Sequence, residues 1–417
     1  MKLYEELKWR GLIKDVSNEE LAEHLLNNEK ITFYCGFDPS APSLTIGNFV
    51  QVIRMRLLQQ HGHKPIILVG GATGLIGDPN EIGERNLLTI KEALYNAECL
   101  KKQFSNYLSF NGENKAILVN NYDWISELNV IGFLRDYGKN FSINYMLAKD
   151  SVATRLQTGI SYTEFSYMII QAIDFLHLYK NHDCIMQFGG SDQWGNITAG
   201  LELIRKVNKE DTKVIALSSP LLLKADGSKF GKSASGALWL DAKMTSPYAI
   251  YQYLINTGDA EVIDYLKFLT LLNKDQIDSL AEELKKAPEK RLPQKALGRE
   301  VVTFLHGEKA YEQALKITEA LFSGDIQSLS GNEIEQLVDN IPTSNIDKSI
   351  NVVDLLVKTE IITSKREARE LITNGAISIN GQRLNELDVN IGLDDAIDKK
   401  YIVICKGKKN YFLVKLS

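Results

Sequence analysis

A short loop with two lysines offers the clearest chemistry in this sequence. The segment "KADGSKFGKSASG" places Lys229 and Lys232 three residues apart, with Ser233 beside the second lysine and glycines on both sides. Two ammonium groups on a glycine-flanked loop suit the charge of a triphosphate. The spacing also fits a solvated surface loop, so these residues alone leave both interpretations open.

A second set of polar residues follows the apolar runs of the first half. The segments "YCGFDPS", "GGATGLIGDP", "NNYDW" and "GGSDQWGN" each come directly after such a run. Helical periods alternate with these runs, which predicts βαβ units and a parallel sheet. Because ligands bind at the carboxyl ends of such strands, we expect the four segments to form one site.

The length of 417 residues predicts more than one domain. The pattern predicts an α/β Rossmann-like parallel-sheet domain carrying the site, followed by an α-helical domain and a small α+β domain. The expected boundaries are 1–220 for the first domain, 221–244 for the lysine loop, 245–322 for the helical domain, 323–348 for a linker and 349–417 for the small domain.

Composition narrows the class of protein. No apolar run reaches the ~18 residues of a membrane span, and the charged start "MKLYEELKWRGLIKD" lacks the apolar core of a signal peptide. We therefore expect a cytoplasmic protein that does not enter a membrane. The four cysteines and six histidines show no metal-ligand spacing, which predicts neither disulfides nor a protein-bound metal.

Several motifs together resemble class I aminoacyl-tRNA synthetases. "SKFGKS" is similar to the KMSKS loop of that class, and "SLTIGN" is similar to its HIGH motif. "GGSDQWGN", "NNYDW", "TEFSYMIIQAIDF" and the tail "SKREARELITNGAISING" resemble the bacterial tyrosyl enzymes in particular, almost end to end and in the family's order. The resemblance implies that tyrosine is activated by ATP with Mg²⁺ and then passed to tRNA(Tyr) by a homodimer.

The resemblance implies a pocket for tyrosine. Tyr34 and Asp174 would hydrogen-bond the substrate hydroxyl, and Asp78 would receive its ammonium group. Tyr167, Gln171 and Asp174 lie at i, i+4 and i+7, on one face of a predicted helix, for which a mixed buried face is the alternative. The secondary contacts implied are Thr73, Asn121 and Gln193.

The resemblance also implies an ATP site. Gly47 would let adenine approach the start of a helix, and such a start favours phosphate anions. Cys35 would contact the nucleotide, although a buried packing side chain fits it equally well. The other implied ATP contacts are Gly36, Asp38, Gly190, Asp192 and Lys232. The groups implied to act in catalysis are Ser40, Thr45, Asn48, Arg85, Lys229, Lys232 and Ser233.

Two departures from the family pattern concern the phosphates. Thr45 and Asn48 stand where the HIGH motif has histidines, and no lysine lies between Asp78 and Arg85. The hydroxyls of Ser40 and Thr45 remain as neutral donors, weaker than a charged donor by ~1 kcal/mol. We therefore expect an active enzyme whose activation step is slower or more dependent on magnesium.

The tail is more basic than the rest of the chain. Residues 349–417 carry 11 Lys and Arg against 9 Asp and Glu, a net charge of +2, whereas the whole chain carries −5. This contrast favours a polyanionic partner, and the tail resembles an S4-like RNA-binding module with a tight hairpin at "INGQRL". The implied tRNA contacts are Lys365, Arg366, Arg369, Lys406, Lys408 and Lys409, with Lys149, Arg205 and Lys206 as weaker candidates in the first half.

Some alternatives stay open. "QTGISYTEFSYM" is similar to the family's subunit interface, and Tyr162 in it is either a subunit contact or a core residue. A second possible function is that of a tryptophan-specific relative. The arguments against it are Tyr34, Asp174 and the S4-like tail. A non-catalytic RNA-binding descendant is a third. The retained "KFGKS" and "GGSDQWGN" argue against it, while Thr45 and the missing lysine argue mildly for it.

Overall fold

The chain folds into two compact units. The computed structural model describes residues 1–79, 88–156, 159–208, 212–224, 226–228, 230–233, 236–338 and 340–416. One unit comprises Met1–Lys232 with Asp259–Glu282, and the other comprises Ser233–Gly258 with Glu283–Ser417. The segment 259–282, which was predicted as part of the helical domain, therefore belongs to the first unit.

Helices account for much of both units. In chain order they are α1 Leu3–Trp9, α2 Glu19–Asn28, α3 Phe49–Gln60, α4 Ile90–Tyr107, α5 Tyr122–Ile125, α6 Val130–Gly132, α7 Ile143–Leu147, α8 Asp150–Ala153, α9 Tyr162–His182, α10 Trp194–Asn208, α11 Pro247–Ile255, α12 Val262–Leu269, α13 Lys274–Lys286, α14 Leu292–His306, α15 Glu308–Ser323, α16 Gly331–Glu335, α17 Val352–Lys358 and α18 Lys365–Thr373.

The strands are shorter. They are β1 Thr32–Phe37, β2 Lys64–Val69, β3 Ile117–Asn120, β4 Cys184–Gly190, β5 Ile215–Ser219, β6 Lys232–Ser233, β7 Gly236–Ala237, β8 Thr343–Ile346, β9 Ile350–Asn351, β10 Ile377–Ile379, β11 Gln382–Arg383, β12 Asn390–Ile391, β13 Tyr401–Lys406 and β14 Asn410–Leu416.

The sheet of the first unit has the strand order β3-β2-β1-β4-β5, and all of its pairs are parallel. This confirms the predicted Rossmann-like sheet. The chain adds strands to one side of β1 and then crosses to the other side with β4. The strand order therefore reverses between β1 and β4, where sheets of this kind open a crevice for ligands.

Side-chain caps define where several helices begin. Ser161 accepts a hydrogen bond from the Glu164 N–H at the start of α9, and Thr89 does the same for the Glu92 N–H in α4. Helix α3 differs, because within the described residues no side chain caps its start at Asn48. Helix α3 follows β1 in the chain, so it begins at the carboxyl edge of the sheet.

A buried arginine ties the N-terminal helix to a distant segment of the first unit. Arg10 is only 1% exposed, and its guanidinium donates to the carbonyls of Lys267, Thr270 and Leu272 at 2.7–3.0 Å. The Glu6 carboxylate, 2.9 Å away, balances its charge. The buried guanidinium is thus both hydrogen-bonded and neutralised.

The second unit contains helices α11, α14 and α15 and a sheet with the order β11-β10-β13-β14-β8. Asn380 and Gly381, at φ 48° and 83°, form the turn between β10 and β11, which confirms the predicted hairpin. The predicted linker is not without structure: it contains α16 and β8, and β8 pairs in parallel with β14. Among the described residues, every helix is too short or too polar to cross a membrane.

Candidate active site

Side-chain hydrogen bonds join the segments that follow β1, β2, β3 and β4. Thr73 donates to Asp38 at 2.6 Å, and the Ala72 N–H donates to the Asn121 side chain at 2.7 Å. Gln193 donates to Asp78 at 2.5 Å. The polar segments predicted from the sequence therefore do form one site at the carboxyl edge of the sheet.

Asp174 lies at the bottom of this site, on α9, and is 1% exposed. Its two carboxylate oxygens accept one hydrogen bond each, from Asn121 Nδ2 at 3.0 Å and from Trp124 Nε1 at 2.9 Å. Burial raises the pKa of Asp174 to about 8, although both hydrogen bonds oppose that rise. A further donor would shift this carboxyl towards its ionised form.

Buried polar atoms without a partner occur on β1, α9 and β4. The Tyr34 hydroxyl and the Gln171 and Gln187 carbonyl oxygens are buried and accept or donate no hydrogen bond within the described part of the chain. Burial, and next the charge of Asp174, raise the pKa of Tyr34 well above its ordinary value, so its hydroxyl stays protonated. Since such groups rarely stay unpaired, they suit a polar ligand with donors and acceptors of its own.

Tyr167 and Asp38 link the two predicted ligand sets. Tyr167, from the tyrosine set, donates to Asp38, from the ATP set, at 2.8 Å, and the other Asp38 oxygen holds Thr73. Burial, and next the charges of Asp38 and Asp78, raise the pKa of Tyr167 well above its ordinary value. Tyr167 is therefore a neutral hydroxyl that orients a carboxylate.

Asp78 is the third carboxylate that accepts hydrogen bonds from two side chains. It accepts from Gln193 and, at 2.9 Å, from Asn196 Nδ2. The sequence predicted Gln193 as a contact of tyrosine, whereas in the structure it bonds Asp78. Asn196 was not predicted, although it lies one helical turn after Gln193 at the start of α10.

Two glycines permit this close packing. A Cβ atom on Gly70 would lie 2.1 Å from an Asp38 oxygen, and one on Gly190 would lie 2.4 Å from an Asp192 oxygen. A side chain at Gly70 would displace the hydrogen-bonded pair of Asp38 and Thr73, whereas one at Gly190 would require the exposed Asp192 side chain to move. Gly47 differs, because a Cβ there would meet the chain only at ordinary distances, 3.6 Å from Thr45 Oγ1 and more from the Phe230 carbonyl.

Thr45 and Asn48, which replace the family's histidines, bond to each other. The Thr45 N–H and hydroxyl both donate to Asn48 Oδ1, at 3.0 and 2.9 Å. In the structure the Thr45 hydroxyl therefore donates to Asn48, and its donation to a phosphate stays a prediction. The Asn48 amide is oriented by these bonds, which leaves its NH₂ as the donor at the start of α3.

The two synthetase-like signatures lie against each other in the first unit. Gly231, with φ 83°, has Ile46 of the first signature so close that a Cβ would lie 2.3 Å from its Cγ2. Lys232 and Ser233 form β6, while nothing of their side chains is described. Lys229 and Arg85 lie outside the described residues.

The remaining residues of the predicted ATP site differ in exposure. Gly36, Ser40 and Asp192 are exposed at the carboxyl edge. Cys35 is 2% exposed, and burial raises the pKa of its thiol to about 12. The burial of Cys35 favours its alternative interpretation, a packing side chain beneath the crevice.

The predicted tRNA contacts fall into paired and unpaired cations. In the second unit Lys365 pairs with Asp354 at 2.6 Å, and Lys406 lies 3.5 Å from Glu367 of α18, which brings the β13–β14 hairpin beside that helix. Within the described residues, these four cations are exposed and form no ion pair: Arg366, Arg369, Lys408 and Lys409.

The weaker tRNA candidates of the first unit have partners. Lys149 donates to Tyr145 and Thr198, Lys206 donates to the Asn140 carbonyl, and Arg205 pairs with Glu202. Nothing in these contacts distinguishes them from ordinary surface cations.

The structure adds residues that the sequence did not reveal. Trp124, Gln187, Asn196 and Gly70 line or support the site. Trp124, Asn196 and Gly70 lie in segments predicted to face the crevice, but side-chain type and spacing gave none of them a role. Gln187 lies inside β4 opposite Tyr34, where a buried strand predicts packing. No group of three or more His, Cys, Asp or Glu residues that could hold a metal occurs in the described part of the chain.

A doubly wound parallel sheet with a HIGH-like helix start and a KMSKS-like loop at its crevice defines a class I aminoacyl-tRNA synthetase. The family "tRNA synthetases class I (W and Y)" matches residues 26–323, and the "Tyrosine--tRNA ligase SYY-like C-terminal domain" matches residues 333–414. The chain belongs to this family of class I synthetases, in the branch with the tyrosyl C-terminal domain.

Known proteins agree with this assignment. The chain is 52% identical over 418 residues to the tyrosine–tRNA ligase 1 of Bacillus anthracis, with 100% of both chains covered. It is 52% identical over 417 residues to the tyrosine–tRNA ligase of Bacillus pumilus, with 99% of both covered. A C-terminally truncated mitochondrial tyrosyl-tRNA synthetase of Aspergillus nidulans superposes with a TM-score of 0.69 at 29% identity, over 77% of this chain and 94% of that chain.

Proposed function

We infer that the chain is a tyrosine–tRNA ligase, which joins L-tyrosine to ATP as tyrosyl-adenylate and then transfers the tyrosyl group to tRNA(Tyr). The full-length identity to tyrosine–tRNA ligases supports this function over its alternatives. The tyrosyl C-terminal domain argues against a tryptophan enzyme, and the intact pocket argues against a non-catalytic descendant.

The observation that carries the choice of substrate is the unpaired Tyr34 hydroxyl beside the Asp174 carboxyl. A phenol placed between them would donate to Asp174 and accept from Tyr34, which satisfies both groups. Phenylalanine would leave both unpaired and buried. Tyrosyl enzymes are the established example of discrimination by this effect.

We place the substrate ammonium group beside Asp78. An ammonium group has three donors, and the unpaired Gln171 oxygen offers a second acceptor on the same side as Tyr167. Gln193 and Asn196 hold Asp78 in one orientation, so their role is to position that carboxylate. Thr73 and Asn121 would likewise hold Asp38 and Asp174.

The phosphates of ATP would lie at the uncapped start of α3. Gly47, which the packing itself does not require, leaves room for the nucleotide, and the Asn48 amide and Ser40 hydroxyl provide donors. Asp192 and Gly190 would lie at the ribose. ATP enters as its Mg²⁺ complex, and the cations that would neutralise the departing pyrophosphate are Lys229, Lys232 and Arg85, with Ser233 beside them.

The first step needs no general base, because the attacking tyrosine carboxylate is already ionised. Its oxygen forms a bond to the α-phosphorus while the bond to the bridging oxygen of pyrophosphate breaks, so negative charge moves onto the leaving group. The protein aligns the two reactants and stabilises that charge. In the second step the terminal ribose hydroxyl of tRNA attacks the acyl carbon, and AMP leaves.

We propose that the second unit binds tRNA through the exposed cations of α18 and the β13–β14 hairpin. Contacts of this kind act on phosphates and weaken as salt rises. Removal of residues 349–417 should abolish aminoacylation and spare adenylate formation, although it also removes the partner strand of β8. Full aminoacylation by the truncated chain would contradict this role.

A homodimer is supported by exposed apolar side chains between residues 130 and 162. Val130 is 71% exposed, Ile131 is 70%, Ile143 is 62% and Tyr162 is 67%. Monomeric proteins rarely leave so many large apolar groups in water. Sedimentation of a Tyr162→Asp and Val130→Asp double variant should show a monomer where the natural chain forms a dimer. The cytoplasmic location stays a prediction.

The test of the proposed function is tyrosine-dependent ATP–pyrophosphate exchange at several magnesium concentrations, with tryptophan and phenylalanine as controls. Exchange with tyrosine alone is expected. The Thr45→His variant should exchange faster or at lower magnesium, because it adds a donor that can carry charge. An unchanged rate would refute the idea that position 45 slows activation.

A further inference from the structure

Three arginines of the first unit are almost completely buried, and one of them has no hydrogen-bond partner. Arg10 donates to three carbonyls and pairs with Glu6, while Arg155 donates to the Gly159 carbonyl and pairs with Glu164 at 3.1 Å. Arg54 is 0% exposed, yet none of its three guanidinium nitrogens has a partner among the described residues. A buried cation in this condition destabilises the fold by itself.

The position of Arg54 relates it to the crevice. It lies on α3, about 9 Å along the helix from its start, since a helix rises 1.5 Å per residue. Side chains of a helix lean towards its N-terminus, which here is the crevice end. The guanidinium carbon lies 4.3 Å from the centre of the Phe188 ring, two residues before β4 ends. Arg54 is thus under the floor of the crevice where β4 adjoins β1.

Arg54 keeps its charge at this position. Burial lowers its pKa to about 10, which still leaves it protonated at neutral pH. The nearby Cys35 thiol is neutral, because burial raises its pKa to about 12. The Phe188 ring favours the cation, but such a contact offsets only part of the lost hydration.

We propose that Arg54 is an electrostatic positioning residue, whose buried charge attracts the phosphates of ATP to the start of α3 without touching them. This inference rests on the proposed function. A charge held in protein acts across a low dielectric and is screened little by salt, unlike an exposed lysine. It supplies positive potential on the side of the crevice where this chain has Thr45 and Asn48, both neutral.

The role of the Arg54 charge can be tested by a substitution that removes the charge and keeps most of the side-chain volume. Arg54→Met keeps a long apolar side chain, Arg54→Lys keeps the charge, and Arg56→Met is the matched control. Arg56 is on the opposite face of α3, and its partner is Gln59 at 3.2 Å. The measurements are KM for ATP and for tyrosine in pyrophosphate exchange, inhibition constants of AMP and adenosine, and the urea midpoint of unfolding.

We expect Arg54→Met to raise KM for ATP roughly tenfold, as one charge acting over ~10 Å at an effective dielectric of ~20 would predict. AMP should weaken less and adenosine hardly at all, KM for tyrosine should not change, and the effect on ATP should persist at high salt. The urea midpoint should rise, since an unpaired buried cation has been removed. Arg54→Lys should restore KM for ATP, and Arg56→Met should resemble the natural chain.

Equal weakening of ATP and adenosine would overturn the proposal, because it would show that packing and not charge had changed. A lower urea midpoint with an unchanged ratio of ATP to adenosine binding would do the same and assign Arg54 to stability alone. Absence of tyrosine-dependent exchange in the natural chain would instead contradict the proposed function.

Discussion

At the carboxyl edge of the first sheet, the carboxylates of Asp38, Asp78 and Asp174 each accept hydrogen bonds from at least two neighbouring side chains. Where we propose that the phosphates of ATP lie, Ser40 and Gly36 are exposed, and within the described residues α3 begins without a side-chain cap. Under the proposed function, the carboxylates that would receive tyrosine are oriented by the protein's own side chains, as recognition of one side chain requires. The proposed phosphate side would instead be completed by the ligand, whose negative charge suits an uncapped helix start.

The largest expected effect tests whether the pocket is indeed prearranged. Asp174→Asn should lower kcat/KM for tyrosine roughly 100- to 1,000-fold, because an NH₂ group replaces an acceptor that the phenol needs, while KM for ATP stays nearly constant. The measurement is pyrophosphate exchange over a tyrosine titration.

Asp183→Asn is the control for that variant. Asp183 is exposed at the end of the same helix and has φ 51°, a conformation that asparagine adopts readily. Equal losses in the tyrosine and ATP parameters of Asp174→Asn would show that the pocket and the phosphate side are not separate.

The second largest expected effect tests the proposed phosphate side. Lys232→Met should lower the maximum rate of adenylate formation about 100-fold, since one charged donor to the leaving group is lost. Tyrosine binding, measured by equilibrium dialysis, should stay unchanged. Lys243→Met, at an exposed lysine farther along the chain, is the control; a matching loss there would point to a general charge effect.

A smaller effect concerns stability and pH. Asp174 has a folded-state pKa of about 8 against an ordinary value of 3.8. Between these values the unfolded chain loses a proton that the folded chain keeps, so the free energy of unfolding falls as pH rises and levels off above about 8. The urea midpoint of the natural chain, relative to Asp174→Asn, should follow this curve; a flat difference from pH 5 to 9 would show an ordinary pKa.

The smallest expected effect tests whether the protein's own packing requires Gly47 on the proposed phosphate side. Gly47→Ala should raise KM for ATP severalfold and change the free energy of unfolding by less than about 0.5 kcal/mol, because its Cβ meets the chain only at ordinary distances. Steady-state kinetics and urea unfolding measure both quantities. A clear drop in stability would mean that the protein's own packing requires this glycine.

Sequence predicted the sheet, the edge of the sheet that carries the site and the helix that presents Tyr167, Gln171 and Asp174. These follow from period and order, which are local properties. The sequence did not predict which side chains hydrogen-bond to the carboxylates of the site. Trp124 and Asn196 act because tertiary packing brings them to Asp174 and Asp78, and the Thr45–Asn48 bond depends on side-chain rotamers. β8 forms a strand by pairing with β14, which lies about seventy residues later in the chain, and a local pattern does not indicate such a pair.

The pairing of Arg10 has a consequence for folding on the ribosome. Its acceptors lie at Lys267, Thr270 and Leu272, so the first unit is incomplete until the chain beyond them has emerged. At ~5–20 residues per second, about 10 to 50 s pass between synthesis of the arginine and synthesis of its partners. During that interval Arg10, directly after α1, has Glu6 as its ion-pair partner but lacks the three carbonyl acceptors, and residues 233–258 of the second unit are synthesised before the first unit is complete.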